Sequence, residues 1–294
     1  MADRKLYGAI EFGGTKIVLA IGDSNGTIVL QEVIPTQAPG LVMPRIKAFF
    51  TRSNRSLVGL GVGAFGPVVV DTDAPDYGRL LVTNKPGWSG FDLVGALGDT
   101  IGLPIALFTD VGAAAIGEAR LGRLRDARLG VYLTVGTGIG GAILLDGNVL
   151  PGALHPEMGH IALLRHPDDP VQSLCQFHAN CAEGLAAGPA IIARFGEPLN
   201  RFANAGKEHM LIADYLGQLC ANLVLTISPH RIVIGGGVGQ TPGLLPLVGN
   251  SMLLHLGGYA QQHASGEDFL AQPELGQNAG IVGALIGASQ ACRL

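Results

Sequence analysis

LYGAIEFGGTKIVLAIGDSNGTIVL, residues 6–30, and GVYLTVGTGIGGAILLDGNVL, residues 130–150, are built to one plan. Each is an apolar run, a Gly/Thr corner, a second apolar run, a tight turn and a third run. Short apolar runs punctuated by glycine predict strands joined as hairpins. The first copy predicts strands at 6–12, 17–21 and 27–34. Its corner is Gly13, Gly14, Thr15 and Lys16. The second predicts strands at 130–135, 142–145 and 148–150, with Asp146-Gly147 as a hairpin turn. Gly13 to Thr15 answers Gly136 to Gly138. The repetition implies two halves of one duplicated α/β design with a cleft between them.

Outward from these copies, strands are expected at 57–64, 105–109 and 231–234. Helices are expected at 44–52, 91–101 (capped by Ser89), 111–121, 185–195, 210–227, 244–256 and 278–291. Asp110 falls where a strand hands over to a helix, a common place for a working carboxylate. It serves equally well as a cap for that helix.

The chain has 294 residues, enough for two domains, which we draw at 1–110 and 111–294, with the C-terminal helix free to pack back on the first. Its 14% of charged residues and mean hydropathy of +0.37 exclude a disordered chain. Net charge is −4 with no basic block, which argues against a nucleic-acid partner. No uninterrupted apolar run reaches the roughly 18 residues of a membrane span, and the start, MADRKLYGAI, lacks the apolar core of a signal peptide. The expectation is a cytoplasmic protein without a membrane partner. Glycine supplies 45 residues, gathered at strand ends where backbone must come close to something.

Gly136, Gly138 and Gly141 match G-x-G-x-x-G, as do Gly61, Gly63 and Gly66. A dinucleotide site needs those glycines to open a helix; here they run into a hairpin and into Pro67. What remains is glycine corners able to offer N–H groups to phosphate oxygens, two with Thr hydroxyls and one with Lys16. Hairpins also need glycine for their own sake, but three such loops point to a nucleotide. Glu11, before the first corner, is either a carboxylate that holds Mg²⁺ through water or a solvated strand end.

His160, Cys175, His178 and Cys181 lie within 22 residues, the last three as C-x-x-H-x-x-C. Two thiolates and two imidazoles close a tetrahedral zinc site with no open position, so a structural Zn²⁺ is expected. Two disulfides among four cysteines fit less well, because two of the four sit inside this cluster. Glu157 and Glu183 flank the cluster, where paired carboxylates can accept hydrogen bonds from sugar hydroxyls. A glycosidase would use such a pair differently and has no use for the glycine corners.

Taken together, EFGGTK (11–16), GAFGP (63–67), TNKPGW (83–88), TDVGAAAIGE (109–118), TVGTGIGGAI (134–143), HPEMGHI (155–161), RHPDD (165–169), CQFHANCAEGLAAGPA (175–190), IVIGGGV (232–238) and LGQNAGIVGA (275–284) resemble the ROK family of sugar kinases and repressors. HPEMGH, RHPDD and CxxHxxC resemble its fructokinase branch. The resemblance implies the duplicated actin/hexokinase-like (ribonuclease H-like) two-domain fold with a nucleotide cleft. It implies transfer of the ATP γ-phosphate to a hexose, with D-fructose as the first expectation and glucose, mannose or an N-acetylhexosamine as alternatives, with Mg²⁺, and a possible homodimer. The other class the family offers is a sugar-sensing regulator without kinase activity. It makes Asp110 the base. Glu157, His160, Glu183, Gly66 and Lys85 would contact sugar, His160 binding zinc through its other nitrogen. Gly13, Gly14, Thr15, Lys16, Gly136 and Gly138 would hold phosphates. Thr134, Thr137, Pro189, Gly235, Gly236, Gly237, Val238 and Gly239 would line the nucleotide. Three positions depart from the family pattern: Gly112 where Asn is frequent, Ala179 where the zinc loop has glycine, and Ala187 in place of serine.

Overall fold

A computed structural model describes residues 5–291. The first four residues of the charged start and the last three, with Cys292, lie outside the described residues. The chain divides into two compact units.

Among the described residues the first unit spans 5–122, 148–155 and 277–291. It begins β1 (Leu6–Phe12), β2 (Lys16–Asp23), β3 (Ile28–Pro35), α1 (Pro39–Arg52) and β4 (Leu57–Ala64). It continues α2 (Leu93–Ile101), β5 (Ile105–Thr109) and α3 (Asp110–Leu121). The strands order β3-β2-β1-β4-β5. β1 is antiparallel to β2 and parallel to β4, and β4 is parallel to β5. Helix α1 starts five residues before its expected first residue, because Pro39 rather than Pro44 takes the first turn, where a missing N–H is harmless. Asp92, not Ser89, caps α2, accepting from the Gly95 amide at 2.9 Å; Ser89 bonds Thr83 instead.

The second unit spans residues 123–147 and 156–276. Its elements follow β6 (Leu129–Val135), β7 (Ile139–Leu145) and β8 (Asn148–Val149), the last opening the stretch that returns to the first unit. Next come a short 3₁₀ turn (Met158–His160), α4 (Ala182–Ala186), α5 (Gly188–Phe195) and α6 (Lys207–Ile227). β9 (Arg231–Gly235), α7 (Gly236–Gly239), α8 (Leu244–Leu256), α9 (Gln261–Ala264) and β10 (Leu270–Ala271) complete it. The strand order β10-β9-β6-β7-β8 repeats that of the first sheet. Here too the central strand is antiparallel to its hairpin partner and parallel to the strand on its other side. The duplication read from residues 6–30 and 130–150 is therefore a property of the fold.

The domain division drawn at residue 110 differs from these units. Helix α3 stays with the strand that precedes it, and the C-terminal helix α10 (Ala279–Ala291) belongs to the first unit. Glycine makes that packing possible: a Cβ on Gly283 would lie 1.7 Å from the Ala113 carbonyl oxygen. In the second unit the expected 185–195 helix is two helices, broken at Ala187 (φ −72°, ψ 162°) before Gly188-Pro189. Helix α6 is long and apolar enough, by length and composition alone, to cross a membrane. In this fold its Tyr215, Leu216, Leu219 and Cys220 are buried in the second core.

Candidate functional site

In the first unit, strand β5 delivers Asp110 to the N-terminus of α3. Thr109 is the cap: its Oγ1 accepts from the Gly112 amide at 2.9 Å. Asp110 is thereby relieved of the capping role that the sequence left open, and its Oδ1 accepts from the Val111 amide at 2.9 Å. Near Asp110 lies Glu11 on β1. Burial pushes the Glu11 carboxyl up to about 7, and the Asp110 charge adds to this, while Lys16 and the Ile281 amide oppose it. Glu11 Oε2 is buried without a hydrogen-bond partner among the described residues. A Cβ on Gly280 would sit 2.5 Å from the Glu11 carboxyl carbon, so only glycine lets α10 come this near. A buried, unpartnered carboxylate oxygen suits a hydrated Mg²⁺.

Burial lowers the pKa of Lys85, and Asp110 opposes that shift. Its ammonium stands over the Phe65 ring, 4.4 Å from the centroid. Phe65 and Phe12 pack edge-on against Trp88, whose indole donates to the Gln37 carbonyl at 2.8 Å. Gly66 precedes a cis peptide bond to Pro67, and a Cβ there would lie 3.1 Å from the His155 ring. The first corner is closed on itself: Gly13 donates to the Lys16 carbonyl and Thr36 Oγ1 donates to the Gly13 carbonyl. Gly14, Thr15 and Lys16 are exposed.

In the second unit, the 3₁₀ turn lies so close on β7 that a Cβ on Gly159 would reach 2.0 Å from the Ile139 carbonyl oxygen. That contact places His160. The donor atoms of His160, Cys175, His178 and Cys181 all lie within 4.8 Å of one another. His160 Nδ1 is 3.7 Å from both sulfurs, and His178 Nδ1 is 3.5 Å from Cys175. Ligands of a tetrahedral zinc at bond lengths of about 2.0–2.3 Å are separated by about 3.6 Å, so the set fits the ion. Since Nδ1 faces the sulfurs, Nε2 of His160 is the nitrogen on the other side of its ring. Burial holds the Cys181 thiol up at about 11 in the absence of a cation. Cys175, Cys181 and Cys220 are free thiols.

Glu183, in the first turn of α4, accepts from the Ile139 amide at 2.9 Å and lies against the second corner. A Cβ on Gly138 would be 2.6 Å from its Oε2. The Gly136 amide closes this corner on the Gly138 carbonyl, and the Gly188 amide donates to the Gly136 carbonyl at 2.7 Å. Gly237 N would be 3.9 Å from a Cβ on Gly136, and Val238 the same distance from one on Gly188. Gly136, Thr137, Gly138, Gly188-Pro189 and Gly235 to Gly239 thus converge, with Thr134 two residues upstream on β6. Glu157 is exposed, and its carbonyl accepts from the His160 amide.

Residues 7–291 match the family model described as ROK family. A fructokinase from Zymomonas mobilis is 38% identical over 96% of this chain and 96% of its own length. One from Pediococcus pentosaceus is 36% identical over 98% and 99%. The crystal structure of a ROK hexokinase from Thermus thermophilus is similar at a TM-score of 0.80 and 28% identity, covering 98% of this chain and 99% of that one.

This chain belongs to the ROK family.

Each departure from the ROK pattern has a structural consequence. Gly112 supplies the capped amide of α3, and a Cβ there would stand 3.0 Å from Thr109 Oγ1. Ala179 is not among the non-glycine residues with positive φ, so the zinc loop turns without the strain that a left-handed alanine would bring. Ala187 caps α5 with no side-chain hydrogen bond. Sequence reading missed the Thr109 cap, although a Thr three residues before a free helix amide is a legible cap signal. It singled out Asp169 only as the last residue of RHPDD, and it missed the partners Arg194 and Tyr215, which no local signal links to it.

Proposed function

We propose that this chain is an ATP-dependent fructokinase, converting D-fructose to D-fructose 6-phosphate. The observation that carries the reading is full-length likeness to fructokinases from two organisms, at 36% and 38% identity. In the reaction, the fructose O6 forms a bond to Pγ of ATP as the bond from Pγ to the ADP oxygen breaks. Asp110 takes the O6 proton. Its readiness follows from Thr109, which caps α3 in its place and leaves the carboxylate half-buried. Catalysis is mainly positioning and charge neutralisation.

In this reading Glu157, His160 through Nε2, and Glu183 bind sugar hydroxyls, and Gly66 and Lys85 belong to the same substrate-binding set. Lys16 and the corner residues Gly13, Gly14, Thr15, Gly136 and Gly138 face phosphate. The Gly13 and Gly136 amides already serve inside their corners, so phosphate is left to their neighbours. Thr134, Thr137, Pro189 and Gly235 to Gly239 line the nucleotide. Glu11 would hold a hydrated Mg²⁺, which would supply charge neutralisation for the phosphates. His160, Cys175, His178 and Cys181 would hold Zn²⁺, which would keep the loop rigid and supply no open position for the chemistry. An enzyme of this kind works where ATP is abundant, in the cytoplasm.

The test is a panel of hexoses with ATP, read as sugar phosphate formed by mass spectrometry. The expected result is fructose 6-phosphate at the highest kcat/KM. A higher value for glucose, mannose or an N-acetylhexosamine would reassign the acceptor, and no sugar phosphate from any hexose would overturn the kinase reading.

A further inference from the structure

We propose that Asp169, with Arg194 and Tyr215, is a positioning residue of the candidate site. The three form a buried ionic hub that sets helices α4 and α5 against each other, and so Glu183 and Gly188-Pro189, through contacts separate from those the Cys/His cluster makes at the start of α4.

Four donors surround the Asp169 carboxylate. Arg194 contributes Nε to Oδ1 at 2.8 Å and Nη2 to Oδ2 at 2.9 Å. Tyr215 donates its hydroxyl to Oδ2 at 2.6 Å, and the Val171 amide donates to Oδ1 at 3.1 Å. The Asp169 and Arg194 side chains are 0% and 2% exposed, so this pair is dry. Burial alone would push Asp169 up, but the hydrogen bonds and charge of Arg194, with the Tyr215 hydroxyl, outweigh it and hold the carboxyl below its usual range.

The reach of the hub makes it more than a stabilising pair. The third guanidinium nitrogen, Arg194 Nη1, donates to the Leu185 and Ala190 carbonyls, both at 3.0 Å. Leu185 lies in α4 two residues past Glu183. Ala190 lies in α5 directly after Gly188-Pro189. One planar group therefore spans the break at Ala187 and fixes the two helices against each other. These helices have 5 and 8 residues, too short to hold a geometry alone. On the other side, Arg165 Nη2 closes residues 165–171 by donating to the Asp169 and Val171 carbonyls, both at 2.8 Å. Tyr215 accepts from the His166 amide, anchoring that loop on α6. These contacts hold the C-terminal end of α4, while Cys181 of the Cys/His cluster caps its start, Sγ accepting from the Gly184 amide at 3.5 Å. RHPDD is accordingly a brace rather than a ligand motif.

The inference uses the fructokinase reading only to name the ligands whose binding responds. The test compares Arg194→Lys, which keeps the charge but loses the fork, with the milder Tyr215→Phe and with chelated wild type. Arg194→Lys is expected to speed amide hydrogen exchange across residues 182–190 and to retain the wild-type zinc content. KM for fructose and KM for ATP should both rise about ten-fold, as expected for a lost charged hydrogen bond. Tyr215→Phe should shift both in the same direction by less, and it carries the test if Arg194→Lys does not fold. Chelation should raise the fructose KM through His160 and speed exchange at Gly184, whose amide is capped by Cys181 Sγ, while leaving the ATP KM and exchange at 186–190 unchanged. Folded variants with wild-type exchange at 182–190, or variants that lose their metal, would overturn the inference. If the chain phosphorylates no hexose, exchange and metal content still decide the hub, while the kinase reading fails separately.

Discussion

The two glycine corners occupy equivalent places in duplicated sheets, yet they are built differently. At the first, between β1 and β2, a Cβ on Gly14 would meet nothing within 4 Å, and Lys16 is exposed. At the second, between β6 and β7, a carboxylate sits beneath Gly138 and the Gly188 amide ties the corner to α5. Duplication preserves where the backbone turns. The elements packed around each hairpin decide what its turn can do: the first is held by Thr36 at the Gly13 and Thr15 carbonyls but leaves Gly14 to Lys16 exposed, while the second is packed against Glu183 and α5.

The largest expected effect lies behind the first corner. Asp110→Asn should lower the rate of phosphorylation by about 10³-fold, in the range of a lost general base. Its thermal unfolding should stay at the wild-type temperature, because Thr109 still caps α3. Near-wild-type turnover would remove Asp110 from the chemistry. Next in size is metal removal beside the second corner. A chelator should lower the melting temperature, since a structural zinc contributes directly to folding; calorimetry showing an unchanged transition would end the zinc assignment.

Paired alanine substitutions test the corners against each other. Gly138→Ala forces a Cβ to 2.6 Å from Glu183 Oε2 and should raise the fructose KM by about ten-fold or more. Gly14→Ala should fold as wild type and change the fructose KM by less than two-fold or so, having no contact to break. Equal effects would mean that the bracing is irrelevant.

The smallest effect is electrostatic. Glu11 has its folded pKa raised from an ordinary 4.5 to about 7, so the folded chain holds this proton more tightly than the unfolded chain does. Stability from this group is therefore full below 4.5 and falls as pH rises towards about 7. Glu11→Gln should melt higher than wild type at pH 8 by a few degrees, and at the same temperature as wild type near pH 4.5. The same variant should need more Mg²⁺ for half-maximal activity. Wild type should need less Mg²⁺ as pH rises through neutrality. A Mg²⁺ requirement unchanged in the variant and flat with pH would dissociate Glu11 from the cation.

Much of this was legible before any coordinates. The strand–corner–strand repeat showed the duplication, because apolar runs and glycine punctuation are local properties of a chain. Cys175, His178 and Cys181 announced their cluster through spacing, and His160 lay close enough to be grouped with them. Asp110 was identifiable at a strand end, but its release from capping was not, since that depends on whether Thr109 or Asp110 takes the Gly112 amide. Gly138 and Glu183 were each singled out, yet the residues between them gave no sign that the Ile139 amide, 44 positions from Glu183, binds that carboxylate. Strand β10 went unseen because two residues carry no periodicity.

The sequence by itself determined the repeated hairpins, the chelating spacing and the carboxylate at the mouth of α3, all encoded within a few residues of one another. Only the tertiary structure decided which carboxylates are clamped, which amides are already engaged, and that Asp169 finds Arg194 and Tyr215, 25 and 46 residues away. Buried polar partners are selected by mutual desolvation and geometry after the chain has packed, and linear order holds no record of that choice.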